Sequence, residues 1–418
     1  MKKIRDVVHG FVDLDEQEID IINHPYFQRL RRVKQLSLTD MVYPGANHTR
    51  FEHSIGVMQM VSDMYDSIVK KDANLELLRS VYSVNDLGLE RYRKIIRLAA
   101  LLHDIGHPPF SHSGEMLMPL LPKEHSKYIS EGNKRYEHEE YSIAAIKTVF
   151  RDIIEKHPIS NNYQIHAEEV TYLLGDQQAK VFSGLLLLWK QLISGQLDAD
   201  RADYLLRDSA HLGVAYGIYD KNSLIKYMTL GRFKDTGDIV IAVEDKAWHV
   251  AESLVLARYQ MFTQVYFHKV RRIYDYHITC ATKEILKKLK CKDAYYPTPS
   301  KINSYLKFDD WTIYANLQKG FGGAHGEIIL NRQHYKCIYE TQLIPTKTDN
   351  SRIKKLFEEY TKANKDFYID DITNAYWYKR EKDIYISENG YVNMLSNKSQ
   401  IVKAMISNPE QKRFYHER

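Results

Sequence analysis

Residues Leu101–His112, LLHDIGHPPFSH, decide how the rest of the chain is read. The apolar run leading into them, Ile95, Ile96, Leu98, Leu101 and Leu102, anchors a helix. Successive helical residues turn by about 100° around the axis, so His103 and Asp104 can both reach one ion at the rim of the buried face. Two further words supply partners: RFEHSIGV (residues 50–57) carries His53, and LDADRADYLLRDS (197–209) carries Asp200. Inward-pointing side chains on facing helices are how helical bundles assemble metal sites. Two imidazoles and two carboxylates make a mixed N/O set that suits a borderline or hard divalent cation. Four protein ligands leave corners of a six-coordinate ion open to water and a phosphate oxygen. Taken singly, a histidine on an apolar helix is an ordinary core residue, and Asp104 can cap the helix before Gly106. The inference rests on the three words together.

Composition narrows the class. A chain of 418 residues buries a large core and is expected to divide into one large domain and a smaller one. Hydrophobic residues make up 44% and charged residues 27%, as in a soluble globular protein. No apolar run approaches the roughly 18 residues of a membrane span, and the longest lies around Gly184–Leu188. The basic residues of MKKIRDVVHGFVDLDEQEID have no apolar stretch behind them, so no signal peptide is expected. Cys280, Cys291 and Cys337 lack metal-site spacing and cannot all pair, so a reducing cytoplasm is the expected location. Fifty-nine basic against 54 acidic residues leave a net charge of +5. That suits anion-binding pockets better than a dedicated nucleic-acid binder.

Apolar periodicity predicts helices through HSIGVMQMVSDMYDSIV and YRKIIRLAALLHDIG, with a break at Asp86-Leu87-Gly88. Residues Glu115–Arg135 read as a loop, a lid or insertion with Pro119, Pro122 and Gly132. Helical signal returns at HEEYSIAAIKTVFRDII and runs through AEEVTYLL, FSGLLLLWKQLIS and DADRADYLLRDSA. GDIVIAVED predicts a strand and a small hairpin near residues 238–245. The stretch from Trp248 to Leu289 has no Pro or Gly and reads as one long helix or two abutting ones. Beyond about Pro297 the composition shifts to Tyr, Lys and Asp with short β-like runs, DFYIDDI and DIYISENGYV. The expected organisation is an N-terminal segment over residues 1–50, a helical catalytic domain over 51–297 and a smaller α+β lobe over 298–418.

RFEHSIGV, LLHDIGHPPFSH and DADRADYLLRDS together resemble the HD-domain superfamily of metal phosphohydrolases. Within it they are most similar to the deoxynucleoside triphosphate triphosphohydrolase branch. That branch includes bacterial dGTPase-like enzymes and the animal dNTPase that joins a SAM domain to an HD domain. HPYFQRLRRVKQLSLTDMVYPGANHTRFEHSIGV (24–57) matches it almost word for word. The similarity runs from about Ile4 to Lys269 and more faintly through DFYIDDI. It implies a mainly α fold: a multi-helix HD core followed by the smaller lobe.

The resemblance also assigns roles. His53, His103, Asp104 and Asp200 are the implied ligands of one divalent metal, with Mn, Fe, Mg, Ni and Zn all compatible and Mg accompanying the nucleotide. Arg50 corresponds to an arginine that grips the triphosphate, and Arg201 stands where the animal enzyme has a phosphate-binding lysine. His107, His112 and His138 match histidines around the α-phosphate, and His112 is the candidate proton donor to the departing oxygen. Tyr204 and Asp208 lie four and eight residues beyond Asp200, on the same helix face. The family's tyrosine stacks on the sugar and leaves no room for a 2′-hydroxyl. Gln35 and Leu36 occupy positions at the sugar edge and 3′-hydroxyl, and Arg258 and Tyr266 are further pocket positions. At Phe262 the animal pattern instead has a histidine.

Members of the branch are often homodimers or homotetramers activated by nucleotides bound between subunits. The implied contacts here are Asn23, Gln28, Arg31, His268 and Lys269. Asn23 stands where the animal enzyme reads guanine with an aspartate. An amide offers both donor and acceptor, so an activator other than GTP is open. Arg29, Arg31 and Arg32 alternatively form a solvated basic face. The implied reaction is hydrolysis of a dNTP at the α-phosphorus to deoxynucleoside and triphosphate, serving nucleotide-pool control or antiviral defence. Two alternatives stay open: a phosphodiesterase or 5′-nucleotidase on the same helices, and a nucleotide-sensing or nucleic-acid-binding protein with a vestigial site. No membrane association is expected.

Overall fold

A computed structural model describes residues 2–122, 134–179, 184–372, 378, 382–406 and 410–417. The expected loop over Glu115–Arg135 therefore lies partly outside the described residues, at 123–133. An antiparallel hairpin, β1 (Lys2–Asp6) and β2 (Gly10–Leu14), opens the chain and leads into helix α1 (Glu16–Asn23). Asp15 and Glu18 close the start of α1 with a reciprocal capping box.

The core is organised around α2 (Arg50–Val69), whose N-terminus carries the Thr49/Glu52 capping box. Most of its residues are buried, because other helices pack on several of its sides. Next come α3 (Asp72–Tyr82) and α4 (Asp86–Leu102), the second packed along α2. The helix break falls before, not at, Asp86-Leu87-Gly88. Ser83 takes a left-handed φ of 52°, and Asn85 caps α4 by accepting from the Gly88 N–H. Asp86 thus supplies the negative first turn that a helix dipole favours.

Further along are α5 (His138–Thr148), α6 (Ala167–Leu173) and α7 (Ala199–Leu212). Helix α7 crosses α2 at Gly56, where any Cβ would collide with the Arg207 guanidinium and the Asp203 carboxylate. Strands β3 (Met228–Arg232) and β4 (Ile239–Glu244) form the expected hairpin. Nearly every residue of β4 is buried, on both faces, which explains its apolar run. The stretch after it resolves into two helices, α8 (Trp248–Met261) and α9 (Lys269–Lys288). A π-turn at Phe262–Tyr266 separates them, and His268 caps α9 through the Val270 N–H.

The C-terminal part is α+β. It contains α10 (Asp310–Gln318), α11 (Gly323–Leu330), β5 (Lys336–Glu340), α12 (Lys347–Lys362), β6 (Phe367–Ile372), β7 (Tyr385–Glu388), β8 (Tyr391–Met394) and β9 (Gln411–His416). Strands β5, β9 and β6 form an antiparallel sheet backed by Ile353 and Leu356 of α12. Strands β7 and β8 instead join β3 and β4 in a closed four-stranded barrel. Strand pairing thus crosses the expected boundary at residue 297, and one apolar cluster runs from Val12 to Val402. No helix among the described residues is long and apolar enough to cross a membrane. The three cysteines are free.

Candidate active site

Helix α4 ends at Leu102, so His103 and Asp104 sit in the turn just beyond it rather than on the helix itself. Gly106 makes that turn possible: a Cβ there would meet the His138 carbonyl and the Ser142 N–H of α5. The His103 Nδ1–H donates to the Ala100 carbonyl at 2.7 Å, which leaves Nε2 with a lone pair. That lone pair lies 3.2 Å from Asp104 Oδ1 and 3.9 Å from Asp200 Oδ1, with no hydrogen-bond partner among the described residues. On α2, His53 Nδ1 donates to Asp203 Oδ2 at 2.9 Å, and its Nε2 faces Asp200 Oδ1 at 3.0 Å and Asp104 Oδ2 at 3.6 Å.

Two nitrogen lone pairs therefore converge on two carboxylates, an arrangement that is repulsive unless something positive sits among them. Burial works against a charged His53, but Asp200, Asp203 and Asp104 outweigh it and push the imidazole up to about 10. The donor atoms of His53, His103 and Asp104 all lie within 4.8 Å of one another, and Asp200 closes the set from the first turn of α7. These residues fit a divalent ion. Asp203, which fixes the His53 tautomer, adds the carboxylate–histidine support typical of such sites. It also accepts from His9 Nε2 at 2.8 Å and pairs with Arg207, which reaches Asp6.

Arg50, at the start of α2, donates to Asp104 Oδ2 at 2.6 Å and Ser111 Oγ at 3.0 Å. Arg201 pairs with Asp198 and with the Gly195 carbonyl. His107 is stacked on His138 at 3.8 Å between ring centroids, and His112 stands edge-on to both. Burial, Arg50 and His138 hold His107 well below the usual histidine range, so it is neutral. Burial opposes charge on His138 too, but Glu139, Glu115 and Asp104 push it up to about 9.

Glu115, read from sequence only as the start of a loop, bridges His138 Nδ1 at 2.6 Å and His112 Nδ1 at 2.9 Å. Its spacing of three from His112 was the available signal. Arg29 departs from the alternative of a solvated basic face. It is buried rather than part of a solvated face, and donates to the carbonyls of His107 and Phe308.

The loop carrying these histidines is strained. Phe110 and Ser111 both adopt left-handed φ, 60° and 53°. Asp310, near the start of α10, holds it by accepting from the Phe110 N–H at 2.7 Å and the Lys34 N–H at 2.9 Å. Burial pushes the Asp310 carboxyl up to about 7, although those N–H groups pull the other way. The folded chain thus holds a proton here from the ordinary 3.8 up to about 7, where the unfolded chain does not. This contribution to stability is complete below 3.8 and is lost as pH rises through about 7. Asp310→Asn cannot ionise, so its melting temperature should gain on wild type between about pH 5 and about pH 8. Parallel melting profiles would refute this.

Gln35, Leu36, Tyr204, Asp208 and Tyr266 line one cavity of about 270 Å³, together with Phe262 from the π-turn. Tyr266 donates its hydroxyl to Asp208 Oδ2 at 2.6 Å, and His48 Nε2 reaches Asp208 Oδ1 at 2.7 Å. Arg258 braces the wall, bonding Gln196 and lying over the Phe262 ring. A second cavity of about 330 Å³ is lined by His103, Asp104, His107, His138 and Arg201. The two share Arg50, His112 and Asp200.

The implied regulatory residues lie away from these cavities, in two groups. Gln28 accepts from Arg31, whose guanidinium covers Phe51, and Asn23 is exposed at the end of α1. His268 and Lys269 sit at the α8–α9 junction, His268 beside Tyr43.

Residues 50–208 match the HD domain and residues 219–413 the HD associated region. The chain belongs to the HD-domain family. It is 36% identical over 321 residues to an uncharacterized protein of Methanocaldococcus jannaschii, covering 76% of this chain and 58% of that one. It is 28% identical to a deoxynucleoside triphosphate triphosphohydrolase SAMHD1 homolog of Dictyostelium discoideum, over 96% of this chain and 73% of that one. Among solved structures, a hypothetical protein from Aquifex aeolicus superposes with a TM-score of 0.76 at 28% identity, covering 100% of this chain and 96% of that one.

Proposed function

We propose that this protein is a metal-dependent dNTP triphosphohydrolase, converting a dNTP to deoxynucleoside and inorganic triphosphate. The observation that carries the reading is the meeting of the two cavities at Arg50, His112 and Asp200. A nucleoside in the Tyr204 cavity and a polyphosphate in the His103 cavity put the α-phosphorus at that junction. An ion held by His53, His103, Asp104 and Asp200 supplies Lewis acidity toward phosphate oxygens and lowers the pKa of water. Arg50 and Arg201 spread their charge over the polyphosphate. The oxygen of water bonds to the α-phosphorus and the bond from phosphorus to the 5′-oxygen breaks. His112, braced by Glu115, gives a proton to the departing 5′-oxygen. The water oxygen stays on the triphosphate, and the proton that the water gives up restores His112 through solvent.

Asp208 retains lone pairs for a sugar hydroxyl after accepting from Tyr266 and His48, and the Tyr204 ring closes the 2′ side. Tyr204→Ala is expected to lower the kcat/KM preference for dNTP over rNTP by about 10- to 100-fold. An unchanged ratio would remove Tyr204 from sugar selection. The likeness to the Dictyostelium enzyme supports the same reading. We propose as well that a nucleotide activator binds between copies of a homodimer or homotetramer, touching Asn23, Gln28 and Arg31 on one and His268 and Lys269 on the other. Incubation with the four dNTPs, singly and mixed, followed by anion-exchange analysis, tests both parts. Triphosphate should be the first inorganic product, with activity higher in mixtures. Pyrophosphate or orthophosphate as first product would overturn the proposal.

A further inference from the structure

Three side chains with a fixed or usual positive charge, Arg50, Arg201 and Lys382, line the cavity that also holds His103 and Asp104. Two of them are already committed: Arg50 to Asp104 and Ser111, and Arg201 to Asp198 and the Gly195 carbonyl. The acidic residues on the same wall are committed as well, Asp198 to Arg201 and Glu139 to His138. Lys382 is different. It comes from the C-terminal part of the chain, just before β7, and its ammonium forms no ion pair or hydrogen bond among the described residues. Lys190, at the end of the helical stretch Gly184–Lys190, lies near enough to feel it. Burial lowers the Lys190 ammonium and the Lys382 charge lowers it further, while its nitrogen sits 4.7 Å from the centre of the Tyr172 ring. Asp176 offsets this only in part, and two ammonium groups that repel each other in the bare chain are favoured once a multiply charged anion arrives.

We propose that Lys382, backed by Lys190, is a binding subsite for the far end of the substrate's polyphosphate, away from the ion-binding residues. This rests on the reading of the cavity as the polyphosphate compartment. The subsite explains how an HD site can favour triphosphates over monophosphates. Arg50 and the ion-binding quartet meet the phosphate next to the nucleoside, and only a longer chain extends to Lys382. A lysine suits this end because a point charge on a flexible stem can follow a terminal phosphate without fixed geometry. The residue also ties selectivity to the C-terminal region, which otherwise contributes the barrel strands β7 and β8.

The test is calorimetric titration of the metal-stripped full chain with inorganic triphosphate and, separately, orthophosphate. Lys382→Gln should weaken triphosphate binding by about tenfold and orthophosphate binding by less than about twofold. Lys190→Gln should have a smaller effect of the same sign. Lys382 is exposed, so an unaltered melting temperature is expected and separates lost binding from lost folding. Equal triphosphate affinity in wild type and Lys382→Gln overturns the subsite, even if dNTPs are cleaved to triphosphate. Lys382-dependent triphosphate binding in a chain that releases only pyrophosphate or orthophosphate keeps the subsite and rejects the reaction.

Discussion

Asp104→Ala is expected to reduce triphosphate release by at least about 1,000-fold while the chain stays folded. Asp104 is the residue on which the site converges: it faces both histidine lone pairs and is the partner of Arg50. Its removal takes away one of the two carboxylates proposed to hold the ion and frees Arg50 from the position proposed to face the phosphate. Burial alone would raise the Asp104 carboxyl, but Arg50, His103 and His107 hold it well below the usual range. These partners favour the carboxylate form. Asp104→Asn, which keeps the volume and removes the charge, should be nearly as inactive. Initial rates together with circular dichroism check the prediction. A rate within about tenfold of wild type would show that Asp104 does not serve the ion.

Arg207→Leu should destabilise the fold by about 3–5 kcal/mol, the largest stability effect expected of a single substitution near the site. The Arg207 side chain is fully buried and pairs with Asp203 at 2.8 Å and Asp6 at 2.8 Å. Leucine would leave both carboxylates in the interior with their main counter-charge gone. Arg207 is the largest of the attractive influences that hold Asp203 well below the usual carboxylate range against burial. Without it, the loss should be smaller in acid, where the carboxylates can take up protons, than at neutral pH. The same substitution loosens Asp203 from His53, so ion affinity should fall as well. Urea unfolding at two pH values measures the effect. A loss below about 1 kcal/mol would mean that water or rearrangement already compensates these charges.

The chemistry of this chain is written locally, and its packing is not. His53, His103, Asp104 and Asp200 stand in short words whose residue types name a cation site, and the geometry brings all four together. Helix α7 could likewise be read from the spacing of Asp200, Tyr204 and Asp208. The position of His103 and Asp104 beyond their helix could not, because it depends on α5 packing against Gly106, a contact between residues more than thirty apart. Asp86-Leu87-Gly88 reads as a break because Asp and Gly favour both turns and first helical turns; Asn85 and the left-handed Ser83 place the break before it. The π-turn at Phe262–Tyr266 has no Pro or Gly to announce it. Burial of Arg29, the approach of His9 to Asp203 and that of Asp6 to Arg207 are tertiary facts, as is the pairing of β7 with β4 across some 140 residues. Glu115 was within reach of the sequence, three residues beyond His112, but the prolines after it pointed to a loop.

The most direct measurement is metal content per chain after chelation, add-back and dialysis, in wild type, His53→Ala, His103→Ala, Asp104→Ala and Asp200→Ala. The account predicts one tightly held divalent ion per wild-type chain, with loss or marked weakening in all four variants. Retention of the ion at full stoichiometry in those variants, or a wild-type chain that holds none, would contradict it.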